Sequence, residues 1–456
     1  MNPQSSSPPP LDRGPRSAQA SIWARLVPRS WPLIGHFLAF RWNAPGFLRR
    51  IAREQGDVAR FRLGRREAFL LAHPDLVRRV LVDHAELFVK GRLMQRARRL
   101  LGDGLLTSER ELHHVQRRRI QPVFTRERLQ SYASGVAPLA ELITSGWKDG
   151  SRVRLDTEMD AIAMRIVARA LLGADIEDEV PELLSALRRL ARWAPLLTLP
   201  GGRALERLRL PVVGRMREAI EIVERVIARR VAEGGPGAPL LDALLRATTE
   251  GAAMSPQLVR DEVMTIFLAG HDTTAAALSW TWLLLAAHPD AAQRLHTELA
   301  ALPSDRPPEP ADVPRLLYTD MVIREVLRLY PPISRIGRRP VRDVDLGPVV
   351  LPQGAPVFLS PFVTQRDPRW FDQPDEFLPE RWAAAAPERP RFAWFPFGAG
   401  PRSCIGEHFA RQVLVLAVAA IGRRWLLVPT RSGLPGMRSL LTLKPRGAVW
   451  MIANRL

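Results

Sequence analysis

Between residues 74 and 301, apolar side chains recur at intervals of three and four. That spacing lines one face of an α-helix, so the stretch reads as a series of helices. The clearest spans residues 255–287, opening at Ser255-Pro256 and closing at His288-Pro289. Serine caps a first turn, and proline is at home at the start of a helix but cannot continue one. A second helix is expected over about residues 312–330, stopped by Pro331-Pro332, and a third, strongly apolar one over about 407–425. Elsewhere the period changes. Val58–Leu63 and residues 67–71, flanked by Gly and Pro, read as short strands, and the Pro-, Gly- and Val-rich stretch 333–362 as short strands and turns. Residues 363–406 show no regular period. The expected class is mainly α with a small β region.

Residues 1–24 form a Ser- and Pro-rich tail with too few apolar side chains to order themselves. Residues 25–456 contain no repeat and no separating linker, and read as a single domain. With 46% hydrophobic and 25% charged residues, the chain has enough apolar side chains for a deep core. No signal peptide or run of 18 apolar residues is evident, so a cytoplasmic protein without a membrane anchor is expected. The net charge of +19 raises nucleic acid as a partner. Arginine carries nearly all of it, since Lys90, Lys148 and Lys444 are the only lysines, and the arginines are spread along the chain beside acidic residues. That spread describes solvated faces and argues against a nucleic-acid groove. A basic patch that steers an acidic electron-transfer protein fits it better.

Cys404 is the only cysteine, in the run Phe397-Gly-Ala-Gly-Pro-Arg-Ser-Cys-Ile-Gly406. One cysteine makes no internal disulfide, iron–sulfur cluster or structural zinc site. Alone it can be a nucleophile or the single thiolate ligand of a haem iron. Gly400 and Gly406 are expected to turn the backbone so that amide groups face the sulfur. The helix that follows favours the anionic thiolate through its dipole. Phe397 can shield the sulfur from water, and the guanidinium of Arg402 suits a haem propionate.

This run resembles the Phe-x-x-Gly-x-Arg-x-Cys-x-Gly signature of the cytochrome P450 family at all five fixed positions. Three further motifs follow the family's order. In Glu325-Val-Leu-Arg328, the two charged residues share a helix face. The same spacing recurs at Glu206/Arg209 and Glu388/Arg391, so what marks this pair is its place before Tyr330-Pro-Pro and ahead of Arg381 and Cys404. The resemblance implies a buried, structural charge network of Glu325, Arg328 and Arg381. Ala269-Gly-His-Asp-Thr-Thr274 lies in the middle of the longest helix. There Gly270 would leave room for a small ligand, and Asp272 and Thr273 would be the acid–alcohol pair that delivers protons to bound dioxygen. His271 faces elsewhere than Thr273 and reads as packing on a neighbouring helix. His113 and Arg117, one turn apart, would contact haem propionates, as would Arg338 or its neighbour Arg339. One departure stands out: Phe409-Ala410 is followed by Val413, where the family often has Glu.

The resemblance implies the P450 fold, a triangular helical prism around a buried haem b with Cys404 as the iron ligand. It implies a haem-thiolate monooxygenase that inserts one oxygen atom of O2 into a hydrophobic small molecule such as a terpenoid, fatty acid or polyketide. Electrons would come from a ferredoxin or flavodoxin with its reductase, docking near Arg117, Arg118, Arg119, Arg411 and Arg423. The implied pocket walls are residues 88–106, 193–210, 267–273, 333–336 and 433–437, with Phe267 and Trp193 among them. Two alternatives keep other chemistry: a P450-fold peroxygenase, isomerase or dehydratase that does not use O2, and a ligand-binding protein without turnover. The presence of both Asp272 and Thr273 argues against each.

Overall fold

The structure, a computed structural model, describes residues 31–456 except Pro32, 174–177, 198–210, 234–237, 247 and 250–251. The expected tail at residues 1–24 lies outside them. The chain divides into two compact units. Of the described residues, the first combines those up to Gly91 with 328–376 and 385–404, and the second combines those within 92–327, 377–384 and 405–456.

The first unit is built on a five-stranded sheet. Val58–Leu63 and Arg66–Leu71 form an antiparallel hairpin with Val58 opposite Leu71 and Leu63 opposite Arg66. Val357–Leu359 adds in parallel to Arg66–Leu71, then Ile336–Pro340 and Phe88–Lys90 follow antiparallel. Successive side chains on a strand point to opposite faces, and Arg66–Leu71 uses both. Phe69 and Leu71 pack with Leu76, Val80, Leu81, Val357 and Phe395, while Ala68 and Leu70 pack with Phe47, Leu48, Ile51 and Phe61. Phe47, Leu48 and Ile51 belong to the helix Phe37–Gln55, which is kinked at Asn43. There the Asn43 side chain accepts from the Gly46 amide at 3.1 Å, so it caps a fresh helical start that tolerates Pro45 in its first turn.

The second unit carries most of the helices. Its axis is Pro256–Ala287, 32 residues long, with Ser255 Oγ accepting from the Leu258 amide at 3.3 Å and proline at the first position. This helix packs against Leu155–Leu172, and Val180–Leu197 packs against Pro211–Ala232. A three-stranded antiparallel sheet joins Trp425–Pro429, Trp450–Arg455 and Ser151–Arg154, and Met437–Ser439 pairs with Leu443–Pro445.

Two of the expected helices need correction. The helix expected over residues 312–330 is a 3-10 turn, Pro310–Arg315, followed by a helix at Leu317–Leu329. Leu316, at φ −88° and ψ 58°, breaks the two apart. The last helix, Glu407–Gly422, stops short of residue 425 because Trp425 begins a strand and is paired with Arg455. The strands after residue 425 and at 151–154 were not legible. Each is short, and their partners lie up to nearly 300 residues away, as in Trp450 opposite Arg154. Among the described residues no helix is long and apolar enough to cross a membrane.

Candidate active site

In the first unit Cys404 is exposed, at the end of a loop that folds back on itself. Its amide donates to the Phe397 carbonyl at 2.8 Å, and Ser403 N–H donates to the Gly400 carbonyl at 3.0 Å. Two glycines make the turns, Gly398 at φ 74° and Gly400 at φ 69°, a region that L side chains rarely adopt. A Cβ at Gly400 would also stand 1.9 Å from the Leu81 carbonyl oxygen. Gly400 is therefore required by a close backbone approach as well as by the turn. Gly406 is a correction: its φ is −91°, an ordinary value, and Gly398 takes the second turning role that sequence reading assigned to it. Phe397 and Arg402 are half-buried, and the Phe397 ring lies 6.4 Å from that of Trp394. Arg338 and Arg339 are neighbours on the strand Ile336–Pro340, so their side chains leave on opposite faces and a given face takes only one. Arg338 Nη1 donates to the Gly337 carbonyl at 3.1 Å.

In the second unit the middle of Pro256–Ala287 carries an ionic cluster. Asp272 accepts from Lys444 Nζ at 2.6 Å and from Thr442 Oγ1 at 2.5 Å, both brought by the Met437–Ser439/Leu443–Pro445 hairpin. Lys444 Nζ also donates to Asp160 at 3.0 Å, and His271 Nε2 lies 3.9 Å from the same carboxylate. Burial alone would raise the pKa of Asp272. The Lys444 charge and the hydrogen bonds from Lys444 and Thr442 outweigh it, so the carboxyl is held below its usual range and stays ionised. Burial would likewise lower Lys444, but Asp272 and Asp160 raise it. Burial dominates at His271 and pushes it down, against the pull of Asp160, which keeps the imidazole neutral. Thr273 Oγ1 donates to the Ala269 carbonyl at 2.7 Å. Gly270 faces the next helix: a Cβ there would lie 3.1 Å from Val167, so what it leaves room for is helix packing. Sequence reading missed Lys444, Thr442 and Asp160. The only signal was that Lys444 is one of three lysines in an arginine-rich chain.

His113 is buried on Arg110–Ile120, its ring 5.9 Å from that of His114, and Arg117 stands half-buried one turn later. Phe267, expected to wall a substrate pocket, is fully enclosed in the second unit's aliphatic core with Val167 and Met264. The side chain of Trp193 lies outside the described residues.

The carboxylate of Glu325 is fully buried and accepts from Arg381 Nε and Trp382 Nε1, both at 2.9 Å, and from the Leu378 amide at 3.0 Å. In the first unit Arg328, equally buried, donates to the carbonyls of Gln365 at 2.9 Å, Pro374 at 2.6 Å and Glu376 at 2.8 Å. Both are ties that hold irregular chain, one by a carboxylate and one by a guanidinium.

The cytochrome P450 family model matches residues 26–450. This chain is a cytochrome P450. It is similar to cyclooctatin synthase of Streptomyces melanosporofaciens, 35% identical with 95% of each chain covered. It also resembles cyclooctat-9-en-7-ol 5-monooxygenase of the same organism, 36% identical over 88% of this chain and 89% of the relative. Pentalenene oxygenase of Streptomyces avermitilis is 31% identical over 90% and 92%. Among solved structures, retinoic acid bound cyanobacterial CYP120A1 superposes with a TM-score of 0.83 at 23% identity, covering 93% of this chain and 98% of that one, which shows the shared fold.

Membership makes this P450 an oxidoreductase, a haem-thiolate monooxygenase that needs O2 and a redox partner and acts on hydrophobic substrates. The residues of the first unit fit a haem. They offer one exposed thiol on a braced loop, with half-buried guanidiniums at Arg338 and Arg402 in the same unit to suit its propionates.

Proposed function

We propose that this P450 inserts one oxygen atom of O2 into a cyclic terpenoid. The observation that carries the substrate class is the likeness, over 88–95% of the chain, to enzymes named for cyclooctatin, cyclooctat-9-en-7-ol and pentalenene. When bound, haem b supplies the iron at which dioxygen is activated.

Cys404 supplies the thiolate that ligates the iron, and Phe397 keeps water from the sulfur. Arg402, with Arg338 or Arg339, would neutralise the propionates, and the family resemblance gives His113 and Arg117 the same role. Asp272, ionised beside Lys444, holds a proton-accepting site on the long helix. Thr273 carries the hydroxyl that passes a proton onward, and giving up its bond to the Ala269 carbonyl frees that hydroxyl to do so. Glu325, Arg328 and Arg381 act by holding the chain in place.

Electrons come from a ferredoxin or flavodoxin with its reductase, in a cytoplasmic setting. Exposed Arg118 is suited to meet such a partner. Arg423 is not: its side chain is 12% exposed and is committed to the carbonyls of Pro303, Ser304 and Arg306. Arg411 binds Asp320 at 2.6 Å.

The test begins with the carbon monoxide difference spectrum of the reduced protein, where a strongly red-shifted Soret band is expected. Pentalenene and cyclooctat-9-en-7-ol are then added, and a spin-state change is read, followed by oxygenated product with surrogate redox partners. Thr273→Ala is expected to consume O2 and reductant while product falls by about 10-fold or more, within the usual scale of a lost proton-transfer group. Unchanged coupling in that variant would remove Thr273 from its role, and no response to either terpenoid would remove the substrate class.

A further inference from the structure

Within the second unit a cavity of about 560 Å³ lies among Leu155–Leu172, Val180–Leu197 and Pro211–Ala232. That is on the scale of clefts that hold small organic ligands, roughly 300–1,000 Å³. It is lined by four arginines, Arg165, Arg188, Arg189 and Arg215, beside the apolar Val180 and Leu184. Arg188 and Arg189 each face a carboxylate only at a distance. Asp160 stands 3.8 Å from Arg188 Nε, and the exposed Glu218 stands 3.7 Å from Arg189 Nη1, both beyond hydrogen-bond reach. Glu182, on the same helical turn as Val180, faces Arg225 at 3.8 Å. The Nε of Arg189 is buried and has no hydrogen-bond acceptor among the described residues. A buried donor without an acceptor is costly unless something else supplies one. The amino-terminal turn of the 18-residue helix Val180–Leu197 also lines the cavity, and such a turn favours negative charge.

We propose that this cavity is a second ligand site, separate from the substrate site, for a free single-chain amphiphile with an oxyanion head. The head, a phosphate or carboxylate, is held by the guanidiniums of Arg188, Arg189 and Arg215, whose forked donors match its oxygens. The apolar chain lies on Ala161, Pro181 and Leu184. The site connects to the acid on the long helix. Arg188 faces Asp160, Asp160 shares Lys444 with Asp272, and these contacts are 3.8, 3.0 and 2.6 Å. An anion that draws Arg188 away leaves Asp160 to compete harder for Lys444, and so loosens the hold of Lys444 on Asp272.

The experiment is isothermal titration of the holoenzyme with decyl phosphate, decanol and inorganic phosphate. Decyl phosphate is expected to bind at least 10-fold more tightly than either half of its structure. Its affinity should fall at least 10-fold in the double variant Arg189→Gln/Arg215→Gln. A second variant, Leu184→Trp, fills the cavity without changing charge and should weaken binding to a similar extent. Undiminished affinity in both variants would place the amphiphile elsewhere and overturn the proposal, as would equal binding of inorganic phosphate. Co-sedimentation with phosphatidate vesicles in the wild type but not in the double variant would make a membrane lipid the source of the head group and overturn the assignment to a free ligand.

Discussion

At Gly400 two constraints fall on one residue. The backbone there sits at φ 69°, and its α-carbon faces the Leu81 carbonyl so closely that a methyl group would have to displace main chain. Gly400→Ala is expected to cost roughly 1–3 kcal/mol in backbone strain and to disturb the four-residue step to Cys404. Haem occupancy, read as the ratio of Soret to protein absorbance, should fall together with the melting temperature. At Gly270 the same substitution meets first a side-chain methyl of Val167 at 3.1 Å and no close main chain, so a milder effect follows. The need for a small residue at position 400 was legible from the spacing to the cysteine. Its cause was not, because Leu81 lies more than 300 residues away.

Among elements, ties between helices and irregular chain hold the buried charges in place. Glu325 is a buried carboxylate with three donors aimed at it, two from side chains and one from the main chain. Removing it takes a buried acceptor from Arg381 and Trp382. Glu325→Ala should cost about 3–5 kcal/mol, the usual range for breaking a buried pair, and denaturant unfolding would measure it. Lys444 plays the reverse part, one cation shared by two carboxylates on two helices. Lys444→Met should cost roughly 3 kcal/mol at neutral pH. The sign of its pH dependence follows from Asp272. In the wild type the Asp272 pKa is depressed, so its contribution is present above the unfolded value of about 3.9 and is lost as pH falls through the folded one. Without Lys444, burial raises the same carboxyl, and the folded variant gains by taking up a proton. The stability gap between wild type and variant should therefore be widest near neutrality and narrow as pH falls toward about 4. A constant gap would show that Asp272 does not depend on Lys444 for its charge.

For the whole molecule the net charge of +19 predicts a salt effect. Exposed arginines steer an acidic electron carrier at low ionic strength, and screening weakens that attraction once the Debye length falls to about 10 Å near 0.1 M salt. The KM for an acidic ferredoxin should rise several-fold between 20 and 300 mM salt, with little change in substrate affinity read from the spin-state shift. The composition also separates roles among the arginines. Arg118 is exposed, whereas Arg328 and Arg423 are turned inward to bind carbonyls. Net charge by itself cannot tell these apart.

By itself the sequence narrowed the uses of Cys404, since a single thiol makes no internal disulfide or metal cluster. It also determined the long helix, whose serine cap, first-turn proline and terminal His288-Pro289 are local signals read within one turn. Resemblance to the family's motifs, in their order along the chain, marked Asp272, Glu325 and Arg381. Only the tertiary structure decided what surrounds them. Lys444 reaches Asp272 from a strand hairpin far along the chain, Leu81 limits Gly400, and short strands at 151–154 and 450–455 find each other across most of the sequence. Local periodicity and capping act over a few residues, and the chain itself carries them. Which charge meets which is set by packing, and packing is a property of the folded whole.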